Sequence, residues 1–302
     1  INVTPVHIAF DEVCKSADSR GIRVTGSELV GLIPLKSLLD AGKYFLQKQQ
    51  RSIGVSEEEL IKIAVKSLGL DELTPFNPNE RIIEYLLNTK ENTPLINLNL
   101  RQFANETASE SPAPGGGSIS AYVASLGVSL ATMVANLSSH KKGWDERWEE
   151  FSVWAVKGQQ IKDQLLKLVD EDTNSFNKIM EAFALPKSTD EEKKLRNEAI
   201  QSATKYAIEV PFKVMELSYE SILIAKEMVL IGNPNSITDA GVGALCARTA
   251  VIGAFMNVRI NSSGLNDKSF VNEIVAKGKV IEENTQQIEK DVIEIINKHI
   301  SL

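Results

Sequence analysis

The chain has 302 residues, 43% of them hydrophobic and 24% charged, an ordinary globular composition with length enough for two domains. A net charge of -7 and a pI near 5.3 argue against non-specific nucleic-acid binding. The two cysteines, Cys14 and Cys246, lie far apart with neither metal-ligand spacing nor a disulfide framework, so they read as reduced thiols of a cytoplasmic protein.

No signal peptide is visible, and the chain opens at Ile1 without a methionine, which reads as a truncated front. A short strand is expected at Ile1–Thr4, then an amphipathic helix carrying Val6, Phe10, Val13 and Ala17 towards Gly21. A second strand is expected at the β-branched Ile22–Thr25, bounded by Gly21 and Gly26. This βαβ start predicts an α/β region short of partner strands. Helices follow from about Pro34 to Gln50, from a Ser56/Glu59 capping box to Gly69, and from Asn79 to about Asn88. Residues Thr89–Asn99 show no sustained periodicity and place a domain boundary, dividing the chain into 1–92 and 93–302.

Beyond it the chain reads as an all-α up-and-down helical bundle. The uncharged stretch Ser111-Pro112-Ala113-Pro114-Gly115-Gly116-Gly117-Ser118 opens a helix running to about His140. Its prolines stiffen the loop, its glycines permit close backbone approach, and the helix N–H groups make an anion-receiving end. Ile119, Val123, Leu126, Leu130, Met133 and Leu137 form an apolar stripe expected to pack. Ser118, Tyr122, Ser125, Ser129, Thr132 and Asn136 form a hydroxyl-rich stripe open to close approach. That polar face argues against a membrane span, although the run is long enough for one.

The next helices are expected at about Asp145–Leu185, Asp190–Ile231, Ile237–Asn261 and Lys268–His299. Thr189 with Glu192 makes a capping box, Pro211 is expected to kink its helix and Gly232 to cap it, and Ser236 to Asp239 has capping-box spacing. Ala240, Gly241, Gly243, Ala244, Ala247, Ala250, Gly253 and Ala254 make the fourth of these helices the close-packed centre.

Chemistry concentrates at Asp172. Ile161, Leu165, Leu168, Phe176, Ile179 and Phe183 share one helix face, and Asp172 falls in the middle of it. A carboxylate there is either satisfied by a helix terminus or an arginine, or proton-carrying. Asp170 and Glu171 read as solvated surface charges. Asn257 and Asn261, one turn apart on a face otherwise small and apolar, serve either a polar ligand or a buried hydrogen-bond pair.

These residues carry a family resemblance. Pro112-Ala113-Pro114-Gly115-Gly116-Gly117-Ser118, Val169-Asp170-Glu171-Asp172, Leu185-Pro186-Lys187, Gly232-Asn233, and Phe255 with Asn257-Val258 and Ile260-Asn261 resemble, in order, the cyclodeaminase domain of the bifunctional formimidoyltransferase-cyclodeaminases. The run Val24–Leu32 resembles the end of the transferase domain. The transferase's N-terminal subdomain with its catalytic histidine is not among these residues, and His7 is not that histidine, so transferase activity is expected only with that part present.

The resemblance implies closure of 5-formimidoyltetrahydrofolate to 5,10-methenyltetrahydrofolate with release of ammonia, in histidine breakdown. It implies Asp172 as the catalytic acid–base. Gly115, Gly116, Gly117, Ser118, Lys141, Asn233, Asp239, Asn257 and Asn261 are expected to bind the substrate, the loop and Lys141 receiving the carboxylates of a glutamate or polyglutamate tail. No metal and no cofactor beyond the tetrahydrofolate substrate is expected, and the partner expected is a second copy of the chain. A methenyltetrahydrofolate cyclohydrolase, or a non-catalytic helical assembly module, are the alternatives.

Overall fold

The computed structural model describes residues 3–87 and 94–300, and its helices group into two compact units. The described residues of Ile1–Asn92 and Asn136–Val156 form one unit, and those of Thr93–Ala135 and Lys157–Leu302 the other.

In the first unit, α1 (Val6–Asp18), α2 (Leu35–Lys48) and α3 (Glu57–Leu68) surround a core of Leu38, Ala41, Phe45, Ile61, Val65 and Leu68. Ser56 accepts from Glu59 N–H at the start of α3, and Gly69 closes it in the left-handed region at φ 62°. The expected third helix is broken into α4 (Pro78–Arg81), capped by Asn77 rather than Asn79, and α5 (Ile83–Leu87). Between them Ile82 makes a single parallel bridge with Ile33.

The expected βαβ unit is not present among the described residues; Ile1 and Asn2 of the first strand, Asn88 and part of the Thr89–Asn99 boundary lie outside them. Residues 22–30 are irregular. A strand exists only as a paired ladder, and this segment spends its hydrogen bonds on a helix end instead. Ser27 donates its N–H to Gly69 O (3.2 Å) and its hydroxyl to Leu68 O (2.7 Å). A methyl on Gly26 would meet Gly69 O at 2.7 Å, so the two backbones touch.

The second unit holds α6 (Leu100–Thr107), α7 (Gly116–Ser138) up to Ala135, α8 (Trp148–Ala184) from Lys157 on, α9 (Asp190–Ile231), α10 (Ile237–Ser262) and α11 (Lys268–Ile300). Helix α6, started by a reciprocal Asn99/Gln102 capping box, was legible in its N-x-x-Q signal but not expected. The Thr189/Glu192 box starts α9, and Pro211 stays inside that helix. Gly232 caps α9 in an extended conformation, Asn233 caps the turn Pro234–Ser236, and Ser236 holds the N-cap position of α10 without the expected side-chain hydrogen bond. Short joints make α9, α10 and α11 antiparallel neighbours, each packed on the other two.

Small residues do hold the centre: Ala240, Ala244, Ala247, Ala250 and Ala254 of α10 are all fully buried. The two faces of α7 are reversed from expectation. Its supposed packing stripe is exposed at Leu126 (46%), Met133 (37%) and Leu137 (40%), whereas Ser118, Ser120, Ser125 and Thr132 are buried. Buried hydroxyls are tolerated because each can bond its own helix backbone. Ser120 donates to Gly116 O (2.7 Å) and Thr132 to Val128 O (2.7 Å). Close helix approach then rewards small side chains over leucines.

Helices α7 and α10 cross glycine on glycine. A methyl on Gly243 would lie 2.8 Å from Gly127 O, and one on Gly127 would lie 2.8 Å from Gly243 O. Because the obstacle is backbone, Gly243→Ala is expected to force α7 and α10 apart and cost about 1–3 kcal/mol. A urea midpoint equal to that of the unmodified chain would show that the helices can slide without penalty.

Candidate active site

The start of α7 holds an anion supplied by the chain itself. Ser118 donates its backbone N–H (2.8 Å) and its hydroxyl (3.0 Å) to Asp172 Oδ2. The free N–H groups and the dipole of α7 favour negative charge at this point. Gly117 makes the approach possible, since a methyl there would fall 2.1 Å from Asp172 Oδ1. Of the two structural readings of Asp172, satisfaction by a helix terminus is the one observed. The Ser118 donors expected to receive a substrate carboxylate thus hold Asp172, while Gly115, Gly116 and Gly117 of the loop line the cleft beside it.

The carboxyl is nonetheless not a simple ion. Burial pushes Asp172 above the usual carboxylate range, and the Ser118 hydrogen bonds oppose that only in part. It opens on a cleft of about 170 Å³ lined by Gly115, Gly116 and Gly117 from the start of α7, Thr173 and Phe176 from α8, Ala207 from α9, and Asn257 and Asn261 from α10. Asp172 is the one charged side chain in that lining.

The two asparagines are held by backbone carbonyls. Asn257 Nδ2 donates to Gly253 O at 2.9 Å, and Asn261 Nδ2 donates to Ala207 O at 2.7 Å. Ala207 lies four residues before Pro211, which has no N–H with which to close that helical turn. Pro211 therefore frees the carbonyl that fixes Asn261. Sequence reasoning saw a kink at Pro211 and did not connect it with Asn261, because the pairing joins two helices.

Other expected residues lie elsewhere. Asp239 is in the first turn of α10 and Asn261 near its end, about 33 Å apart along the axis at 1.5 Å per residue. Asn233 is buried and caps the preceding turn through Asn235 N–H. Lys141 is exposed in the turn after the far end of α7. None of the three lines the cleft. A wider depression of about 640 Å³ between α8 and α9, with Lys178, Tyr206 and Glu209 in its wall, contains no expected site residue. Among the described residues no three His, Cys, Asp or Glu side chains gather to hold a metal ion.

The neighbours of Asp172 on α8 are not surface charges. Asp170 is 3% exposed, and its oxygens accept from Leu95 N–H (2.8 Å) and Ile96 N–H (3.2 Å). Glu171 accepts from the Tyr206 hydroxyl and from Asn174 Nδ2. Burial raises the Glu171 carboxyl, but these hydrogen bonds and Lys178 together hold it below its ordinary value. The apolar seam also differs from expectation: Ile161, Leu165 and Val169 are buried, while Phe176 and Phe183 are about half exposed.

A helical bundle thus carries a raised carboxyl under a helix N-terminus with two oriented amides beside it, an arrangement with the chemistry to hold a small polar molecule and exchange a proton with it. The profile of a family described as formiminotransferase-cyclodeaminase matches residues 99–279, and that of the formiminotransferase domain matches residues 1–88. The chain belongs to the formiminotransferase-cyclodeaminase family. It is 39% identical to a formimidoyltransferase-cyclodeaminase of Gallus gallus over 89% of this chain and 50% of that one. It is 36% identical to a methenyltetrahydrofolate cyclohydrolase of Methylorubrum extorquens over 59% of this chain and 85% of that one. A crystal structure of formiminotetrahydrofolate cyclodeaminase from Thermotoga maritima superposes with a TM-score of 0.57 at 27% identity, covering 66% of this chain and 96% of that one. The chain spans about half the length of the Gallus gallus relative.

Asp170→Asn replaces one accepting oxygen by a donor facing a buried N–H. Its expected cost is about 1–3 kcal/mol of stability. The folded fraction should retain its Asp172 chemistry, and a variant as stable as the parent in urea would contradict the anchoring role.

Proposed function

We propose that this chain closes 5-formimidoyltetrahydrofolate to 5,10-methenyltetrahydrofolate and releases ammonia. The observation that carries the reading is Asp172, a carboxyl raised by burial, anchored through one oxygen and opening on a cleft, in a chain of this family. The match of residues 1–88 to the formiminotransferase domain favours deaminase over cyclohydrolase, because a transferase delivers the 5-formimidoyl substrate. The setting we assign is histidine breakdown in the cytoplasm, and the exposed Leu126, Met133 and Leu137 support a homo-oligomer.

In this reading the substrate enters with its formimidoyl group protonated as an amidinium, and its N10 attacks the formimidoyl carbon, forming the N10–C bond. The tetrahedral carbon then carries N5, N10 and the former imino nitrogen as an amine. Ionised Asp172 takes the N10 proton and returns it to that amine. The C–N bond to the protonated amine breaks, ammonia leaves, and the methenyl cation remains. Proton and charge balance within one substrate molecule, so the protein's tasks are orientation and a single shuttle. A cleft of about 170 Å³ accommodates the reacting end, and the rest of the folate lies outside it.

Methenyl absorbance and ammonia, followed with the purified chain and 5-formimidoyltetrahydrofolate, test the reading. Asp172→Asn cannot exchange a proton and should lower kcat about a hundredfold or more, with KM little changed. Full turnover by the folded Asp172→Asn variant would defeat the shuttle.

A second measurement uses pH. Asp172 must be ionised to accept the N10 proton, so kcat/KM is lost as pH falls through its raised pKa. Ser118→Ala removes a hydrogen bond that favours the ionised form and should move this acid limb to higher pH. A limb that stays in place or moves down would separate it from Asp172.

A further inference from the structure

Asn257 and Asn261 each turn a carbonyl oxygen to the cleft, with one of their two Nδ2 hydrogens committed elsewhere. Each commits its Nδ2 to a carbonyl oxygen, which settles the orientation of the amide because an Oδ1 cannot donate there. Neither Oδ1 is a buried atom lacking a partner, and neither accepts from a protein donor among the described residues. Both side chains line the cleft whose one charged group is Asp172. Two carbonyl oxygens and a carboxyl make a surface that favours a planar cation bearing N–H groups over a neutral group of the same shape without them.

We infer that Asn257 and Asn261 select the formimidoyl group by accepting from its amidinium N–H, with Pro211 as a positioning residue that frees Ala207 O to hold Asn261. This rests on the cyclodeaminase reading and goes further, for it assigns discrimination between the imino substrate and its 5-formyl counterpart. The two ligands match in shape and differ at one atom. The amidinium nitrogen donates to the two oxygens and is opposite in charge to Asp172, while a formyl oxygen has no N–H for either oxygen and no charge for the carboxylate. A site built around specific hydrogen-bond partners rejects the ligand that leaves them unpaired more strongly than a site sorting by size.

The test is a binding measurement on ligands that cannot react. Calorimetry compares 10-deaza-5-formimidoyltetrahydrofolate with 10-deaza-5-formyltetrahydrofolate; carbon at position 10 cannot close the ring, so binding is read apart from turnover. The unmodified chain should prefer the formimidoyl ligand. Asn261→Leu alone leaves Ala207 O without a donor and is expected to lower the melting temperature. In Pro211→Ala/Asn261→Leu the new alanine N–H returns to Ala207 O, so melting should recover. The preference for the formimidoyl ligand should nonetheless fall about tenfold or more, the value of one hydrogen bond to a charged group. Recovered melting with an unchanged preference, or no preference in the unmodified chain, overturns the inference. Loss of ammonia release with natural substrate, measured separately, bears on the cyclodeaminase reading itself.

Discussion

The site depends on one contact, the Asp172 carboxylate held against the first turn of α7 by Ser118. An unpaired charge in this half-buried position is expensive, and a helix N-terminus is among the few local features that offsets the cost without a second full charge. No lysine or arginine lines the cleft. A salt bridge would have stabilised the ionised form and held the carboxyl low. Two Ser118 donors anchor it more weakly, so burial still prevails and holds the carboxyl above the ordinary carboxylate range.

That contact places demands on its surroundings. Gly117 must lack a side chain, since a methyl would overlap the carboxylate. The first turn of α7 must also stay close to α10, where a methyl on Gly253 would lie 2.4 Å from Ser120 Oγ. The run of alanines and glycines in α10 meets that need, and the hydroxyls of Ser120, Ser125 and Thr132 on the buried face of α7 turn back to carbonyls of their own helix. Further down α10, Pro211 sacrifices a hydrogen bond of α9, and Asn261 takes up the released acceptor.

Much of this was legible in the sequence. The long helices, the capping boxes at Ser56 and Thr189 and the small-residue centre follow local rules that a sequence carries directly. Asp172 announced itself as an acid on an apolar face. Local rules failed wherever a distant partner decided the outcome. Asp170 was read as solvated because its partners, Leu95 and Ile96 N–H, lie far away in the chain. The faces of α7 were reversed because bulk hydrophobicity was taken as the mark of the core, when close helix packing selects small residues. Ile22–Thr25 has strand-like composition, but a strand needs a neighbour, and the end of α3 captured Gly26 and Ser27 instead. Lys141, Asn233 and Asp239 were grouped with the site by motif order, which says nothing about which end of a helix a residue occupies.

The central claim is that Asp172 is anchored yet has its pKa raised above the ordinary carboxylate value. Carbon-13 labelling of aspartate side chains, with the Asp172 signal assigned by its loss in Asp172→Asn, gives the titration of that one carboxyl. A midpoint clearly above the ordinary aspartate value of about 3.9 is predicted. A midpoint at or below that value would mean that the helix end holds a permanent anion, and Asp172 would then be a structural acid with no proton to move.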